Sequence, residues 1–173
     1  EPGPILCWYK QNRPDIYQQI GYILMCKDFL IFKLTGMFSG DINCFGGSSL
    51  LDLKTFNYSK ELMDLYGVPE MYYKLPKLHE SSEIAGTVTK VAAKSTGLAF
   101  GTPVAAGMMD ILACLVGAGA ASKGLVTIVA GTWCINEIQS NKIIPGASAN
   151  QPALGKGLYL NCSYTGASAI NYD

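Results

Sequence analysis

The chain has 173 residues, 49 % of them hydrophobic and 15 % charged, and thirteen acids against thirteen bases leave a formal net charge of zero. That length suffices for one domain with a sizeable core or for pieces of two, and the composition excludes a disordered chain. Arg13 is the only arginine and no lysine-rich run occurs, so nucleic acid is not an expected partner.

Cys7, Cys26, Cys44, Cys114, Cys134 and Cys162 form no C-x-x-C pair, and His79 is the only histidine. Their spacing fits neither a zinc site nor a small disulfide framework, so the thiols read as reduced, in a cytosolic protein. The opening Glu1-Pro2-Gly3-Pro4 is no signal peptide. No uninterrupted apolar run reaches ~18 residues, and no membrane span is expected. The missing initial Met and the end at Asp173 suggest a piece of something longer.

Residues 5–10 (ILCWYK) read as helix, with Trp8 and Tyr9 in the core rather than forming a sugar-stacking platform. Pro14 suits the first position of a second helix, where its missing N–H is not needed. Ile16, Ile20 and Ile23 keep helical spacing into an apolar patch at residues 22–25. Residues 27–34 (KDFLIFKL) predict a helix, served in its first turn by Asp28 and stopped at Gly36. A Gly- and Ser-rich loop is expected over residues 41–53 and a turn over 55–58. Ser59 is the candidate N-cap of a helix through Tyr66, with Leu62, Met63, Leu65 and Tyr66 inward. Pro76 predicts an extended segment over residues 72–78, beside which His79 reads as a boundary residue. A strand follows at 84–88, then a helix at 90–96 capped by Thr89 and closed by Gly97.

From Phe100 onward the pattern sharpens. A turn at Gly101-Thr102-Pro103 leads to a short strand at 104–107, and Asp110 lies just past its end. An apolar helix is expected over 111–121, with Gly117 and Gly119 read as close helix packing. A buried-looking strand at 125–130 breaks at Gly131-Thr132 and returns as a hairpin strand at 133–139. Residues 141–156 read as a surface loop, 158–161 as a strand, and 166–172 as the start of a helix. The alternation of strands and helices predicts α/β architecture.

In open α/β sheets ligands bind beyond the carboxyl ends of strands. An acid there, such as Asp110, can accept a hydroxyl proton, and a helix N-terminus is a favourable place for its charge. The plainer reading is that Asp110 caps the helix from Ile111. Gly131 would let the backbone approach a phosphate to which the Thr132 hydroxyl and nearby amides donate; the plainer reading is an ordinary hairpin turn. There is no G-x-x-x-x-G-K-[ST] loop, no G-x-G-x-x-G and no G-x-S-x-G elbow.

Four stretches in this order resemble the FGGY family of carbohydrate kinases. KDFLIFKLTG (residues 27–36) is similar to the family's K-D-[YF]-L-x-x-x-L-T-G. GDINCFGGSSLLDL (40–53) is similar to its D-x-S-x-A-S-x-T-x-L-x-D segment, with Asp41 and Asp52 as first and last acids. SSEIAGTVTKVAAKSTGLAFGTPVAAGMMD (81–110) is similar to its T-G-L-x-x-G-T-P-V-x-x-G-x-x-D region. GLVTIVAGTW (124–133) is similar to its second phosphate hairpin. With looser flanks the likeness extends over nearly the whole chain.

The resemblance implies a ribonuclease H-like, actin-like ATPase fold of two domains, present in part. Residues 1–118 would be the latter part of the sugar-binding domain and 119–173 the beginning of the nucleotide-binding domain. It implies ATP-dependent phosphorylation of a sugar or polyol, with Mg²⁺. Asp110 is the expected catalytic base, Asp110 and Ile111 contact the substrate, and Gly131, Thr132 and Gly166 contact ATP. Ile111 stands where many members carry a polar residue, and Met108-Met109 where smaller residues are common. The Gly-Thr-Trp ending and the apolar residue after the acid resemble the branch handling L-xylulose and related keto sugars. Family members run to about three times this length and open with a D-x-G-x-[ST] phosphate hairpin that this chain lacks, so the isolated chain is expected to be inactive. A homodimer of the whole protein is the candidate assembly. The rival reading, favoured by Ile111 and Met108-Met109, is a non-catalytic kinase-like binding module.

Overall fold

Capping chemistry sets most of the helices in the computed structural model, which describes residues 1–122, 124–131, 133–155 and 157–166. α1 (Pro2–Asn12) is followed by α2 (Pro14–Tyr17), with Pro14 at its first position. The Asp28 carboxylate accepts the Met25 N–H at 3.2 Å at the start of α3 (Cys26–Thr35), which Gly36 closes in the left-handed region. β1 (Ser39–Asp41) ends on a carboxylate that caps α4 (Ile42–Gly46), accepting the N–H groups of Asn43 and Cys44 at 2.9 and 3.0 Å. β2 (Leu51–Asp52) and β3 (Asn57–Tyr58) pair antiparallel. Ser59 Oγ then accepts the Leu62 N–H at 3.2 Å and opens α5 (Lys60–Leu65). A 3₁₀ turn (Pro69–Lys74) leads to β4 (Lys77–His79), which pairs parallel with β1. β5 (Ile84–Thr87) and β6 (Pro103–Ala105) pair antiparallel around α6 (Lys90–Thr96), whose first turn Thr89 caps through the Ala92 N–H at 3.2 Å.

The chain divides into two compact units, Glu1–Gly107 and Met108–Asp173. In the first, Leu6, Tyr17, Leu50, Met63, Val68 and Met71 form one core cluster, and Ile31, Ala85 and Ala106 a smaller one beneath α3. In the second, α7 (Asp110–Gly117) accompanies an antiparallel sheet of β7 (Val126–Ala130), β8 (Cys134–Ser140), β9 (Ala149–Pro152) and β10 (Tyr159–Thr165), ordered β7-β8-β10-β9. Leu112 and Leu115 of α7 pack on Ala153, Leu160 and Cys162. Complete burial of a Leu side chain contributes roughly 1.5–3 kcal/mol, so this helix is fixed mainly by its two inward leucines.

Several expectations need correction. The second helix stops at Tyr17, and residues 20–25 are irregular although their isoleucines keep helical spacing. Residues 41–53 are not one loop, because Asp41 caps a short helix there and Leu51 begins a strand. Residues 72–74 belong to the 3₁₀ turn rather than to an extended segment. Leu65 is 77 % exposed and Trp8 is 54 % exposed, so neither is a core residue. α7 ends at Gly117, short of Ala121, and nothing lies within 4 Å of a Cβ built at Gly117 or Gly119; close packing does not explain them. β7 lies at the sheet edge with Val126 and Ile128 exposed, not buried. The expected loop at 141–156 contains β9, and β10 runs on to Thr165. The helix expected over 166–172 lies, apart from Gly166, outside the described residues.

Candidate functional site

Asp110 is the first residue of α7 and not its cap: Met109 holds the N-cap position without a side-chain bond. Asp110 Oδ1 accepts the N–H of Ile111 at 2.8 Å, instead of an amide two or three residues on as an N-cap would. The side chain is exposed, and among the described residues no cation pairs with it. Its negative charge sits at the N-terminus of an eight-residue helix, where the peptide dipoles favour it. Ile111 and Met108, on either side, pack partly buried against the Leu112–Leu115 cluster. The Gln151 amide contacts the Met109 sulfur at 3.6 Å.

Gly131 occupies the turn between β7 and β8. Its N–H donates to the Trp133 carbonyl at 3.1 Å, and that oxygen lies 3.7 Å from a Cβ built there, the nearest atom beyond the chain neighbours among the described residues. The turn is thus hydrogen-bonded while its backbone stays open to a close approach. Gly166 follows β10, and among the described residues beyond its chain neighbours nothing lies within 4 Å of its Cβ position. The register pairs Ala130 with Cys134 and Thr165 with Cys134, so Gly131 and Gly166 lie at the same end of the sheet. Thr132 is outside the described residues. No hydrogen bond joins Asp110 to Gly131 or Gly166 among the described residues; Asp110 is connected to the sheet through the packing of α7.

Among the described residues no group of three His, Cys, Asp or Glu side chains is placed to hold a metal ion, and no helix is long and apolar enough to cross a membrane. His79 is partly buried and meets Glu83 at 3.2 Å.

The sequence reading missed a buried charge cluster in the first unit. Lys27 Nζ lies 2.6 Å from Asp28 Oδ1 and 2.5 Å from Asp41 Oδ2, with both carboxylates fully buried. It also donates to the Ala106 carbonyl at 2.9 Å. Burial pushes the Asp28 carboxyl above its usual range despite the ammonium beside it. Burial opposes the charge on Lys27 too, yet bonds to Asp28 and Asp41 hold its pKa above the ordinary value. Burial raises the Cys44 thiol and the Tyr58 phenol, which neighbour the same acids. The only available hint was that Lys27, Asp28 and Asp41 all fall within the family-like stretches.

Residues 1–117 match the FGGY family of carbohydrate kinases, N-terminal domain. The chain is 32 % identical over 176 aligned residues to a probable L-xylulose kinase of Pasteurella multocida (strain Pm70), covering 99 % of this chain and 36 % of that protein. It is 32 % identical to an L-fuculokinase of Escherichia coli (strain K12), over 80 % of this chain and 29 % of that one. It superposes on a xylulose kinase from Rhodospirillum rubrum with a TM-score of 0.88 and 26 % identity, covering 98 % of this chain and 35 % of the other. These are sugar kinases of the actin-like ATPase fold, so the expected α/β fold is present in part. The chain spans about a third of the length of the curated relatives it matches.

Proposed function

The chain belongs to the FGGY family of carbohydrate kinases, and from that premise we propose that it is the middle third of an ATP-dependent kinase acting on a ketopentose such as L-xylulose. The observation that carries the reading is Asp110 itself: an exposed carboxylate, free of cations among the described residues, on the first residue of an apolar helix. In that reading Asp110 takes the proton of the sugar hydroxyl as its oxygen attacks the phosphoryl group in line. ATP, when bound, supplies the phosphoryl group. Gly131, Thr132 and Gly166 are the candidates to border its phosphates, supported by the open backbone at Gly131 and by the common sheet end of Gly131 and Gly166. Mg²⁺ would accompany the nucleotide and offset its phosphate charge, and among the described residues no cluster of His, Cys, Asp or Glu would hold it. Ile111 packs inward and supplies an apolar wall beside the base.

The proposed domain boundary falls after residue 118, supported by a family match that ends at residue 117, while α7 already packs in the second compact unit. A cytoplasmic site of action is supported by six thiols that remain free.

The test is made on the full-length kinase. A thermal-shift screen of ketopentoses, polyols and sugar acids with Mg·ATP comes first; a ligand at ~100 times its Kd adds about 2.7 kcal/mol to the native state. With the sugar in hand, Asp110→Asn is expected to lower kcat by roughly 10²-fold or more while leaving the sugar KM nearly unchanged. Turnover within a factor of about three of the wild type would remove Asp110 from the chemistry, and no turnover by the wild type with any sugar in the screen would leave a binding module as the better description.

A further inference from the structure

We infer that Lys27 is a positioning residue for Asp110: its buried ammonium, gripped by Asp28 and Asp41, fixes the Ala106 carbonyl from which the chain turns into the segment carrying the base. The inference rests on Asp110 being the catalytic base.

The two peptides that flank Ala106 are held by two parts of the first unit, the 81–83 segment and Lys27 of α3. The Ala106 N–H donates to the Glu83 carbonyl at 2.9 Å, and the Gly107 N–H to the Ser81 carbonyl at 2.9 Å. The Ala106 carbonyl accepts from Lys27 Nζ at 2.9 Å. Lys27 Nζ donates to Asp28 Oδ1 and to the Ala106 carbonyl, and Asp41 Oδ2 pairs with its charge at 2.5 Å. None of these acceptors is loose. Asp28 also holds the start of α3 through the Met25 N–H, and Asp41 holds the start of α4 through Asn43 and Cys44. Asn43 in turn accepts from the Ser81 hydroxyl, tying in the residue whose carbonyl receives the Gly107 N–H. Ala106 is completely buried.

Gly107 has φ +73°, a conformation L side chains rarely adopt, and the nearest atom to a Cβ built there is Lys27 Cδ at 3.8 Å. Gly107 is thus the last residue held by this clamp, and the base follows three residues later. A buried ion cluster is a weak source of stability, because a packed apolar substitute is often as stable. What it supplies here is direction: a charged donor sets where one carbonyl points. A misplacement of ~1 Å at a reacting group can cost about 10²-fold in rate.

The experiment is a double-mutant cycle in the full-length kinase. Lys27→Met is expected to lower kcat about 10- to 100-fold per folded molecule, with the sugar KM within about threefold. In an Asp110→Asn background the same change should lower the residual turnover by less than about threefold, because a misdirected base that is already absent costs nothing further. An unchanged kcat per folded molecule overturns the proposal, and so does an equal loss in both backgrounds. Should Lys27→Met fail to fold, Lys27→Met with Asp41→Asn leaves one buried carboxylate fewer, and the new amide oxygen can still cap α4. That double variant is read in the same way. Failure of both to fold overturns the proposal in favour of a purely structural role. Loss of the parent reading shows separately, as a wild type without turnover or an Asp110→Asn variant that keeps it.

Discussion

Glu137 sits in the middle of β8, 1 % exposed, and among the described residues neither carboxylate oxygen has a hydrogen-bond partner. Opposite it stand Thr127 on β7, whose hydroxyl likewise has none among them, and Cys162 on β10, whose thiol burial raises to about 11. Burial alone pushes the Glu137 carboxyl up from 4.5 to about 7. The folded protein therefore holds this proton more tightly than the unfolded chain does. Stability should rise as pH falls through about 7, level off below about 4.5, and be lowest above pH 8. The swing is on the order of 2–3 kcal/mol. Glu137→Gln should flatten the pH dependence of Tm between pH 5.5 and 8, and an unchanged slope would show that the group is hydrated in solution. Alternation in WCINEIQ did not reveal this residue. Glu137 and Gln139 face inward while the neighbouring isoleucines are only half-buried. For Gln139 the reason is long-range: its amide donates to the Ala121 carbonyl and its oxygen accepts from Leu154, joining loops that lie far apart in the sequence.

Among the elements, those fixed by their own end residues were legible. Ser59, Thr89, Gly36 and Pro14 act within one turn, so reading them needs no tertiary knowledge. Thr89→Ala should cost about 1 kcal/mol in denaturant unfolding, whereas removing the exposed Ser95 hydroxyl, which only bonds back within α6, should change little. What stayed hidden depends on distant partners. β9 has the composition of a loop (ANQP) and is a strand only because β10 pairs with it. α4 looked like part of a glycine-rich connection, and β1 beside it requires a glycine for reasons of contact. A Cβ at Gly40 would lie 2.5 Å from the buried Phe45 ring and 3.0 Å from Pro76. Gly40→Ala should therefore destabilise by roughly 1–3 kcal/mol through overpacking, measurable as a lower denaturation midpoint with an unchanged m-value. The candidate site divides the same way. Asp110 could be read from its motif, but the grip of Lys27 on Ala106 joins residues 79 positions apart and could not.

At the scale of the whole chain, which covers about a third of the length of its relatives, the sheet of the second unit has an open edge at β7 among the described residues. β7 has no neighbour on its outer side among the described residues, and Leu125, Val126 and Ile128 are exposed along it. An apolar edge strand is a template for association with another chain. The 173-residue chain alone should therefore self-associate with rising concentration in sedimentation or light scattering, and Ile128→Lys should reduce this. A monodisperse monomer at high concentration would show that the edge is covered from within. The thiols offer a different kind of access. Of the six free cysteines, only Cys26 and Cys114 are exposed, one in each compact unit. Cys26 adjoins Lys27, and Cys114 follows Asp110 by one helical turn. Nitroxide labels on these two native side chains would form a spectroscopic ruler between the units of this chain.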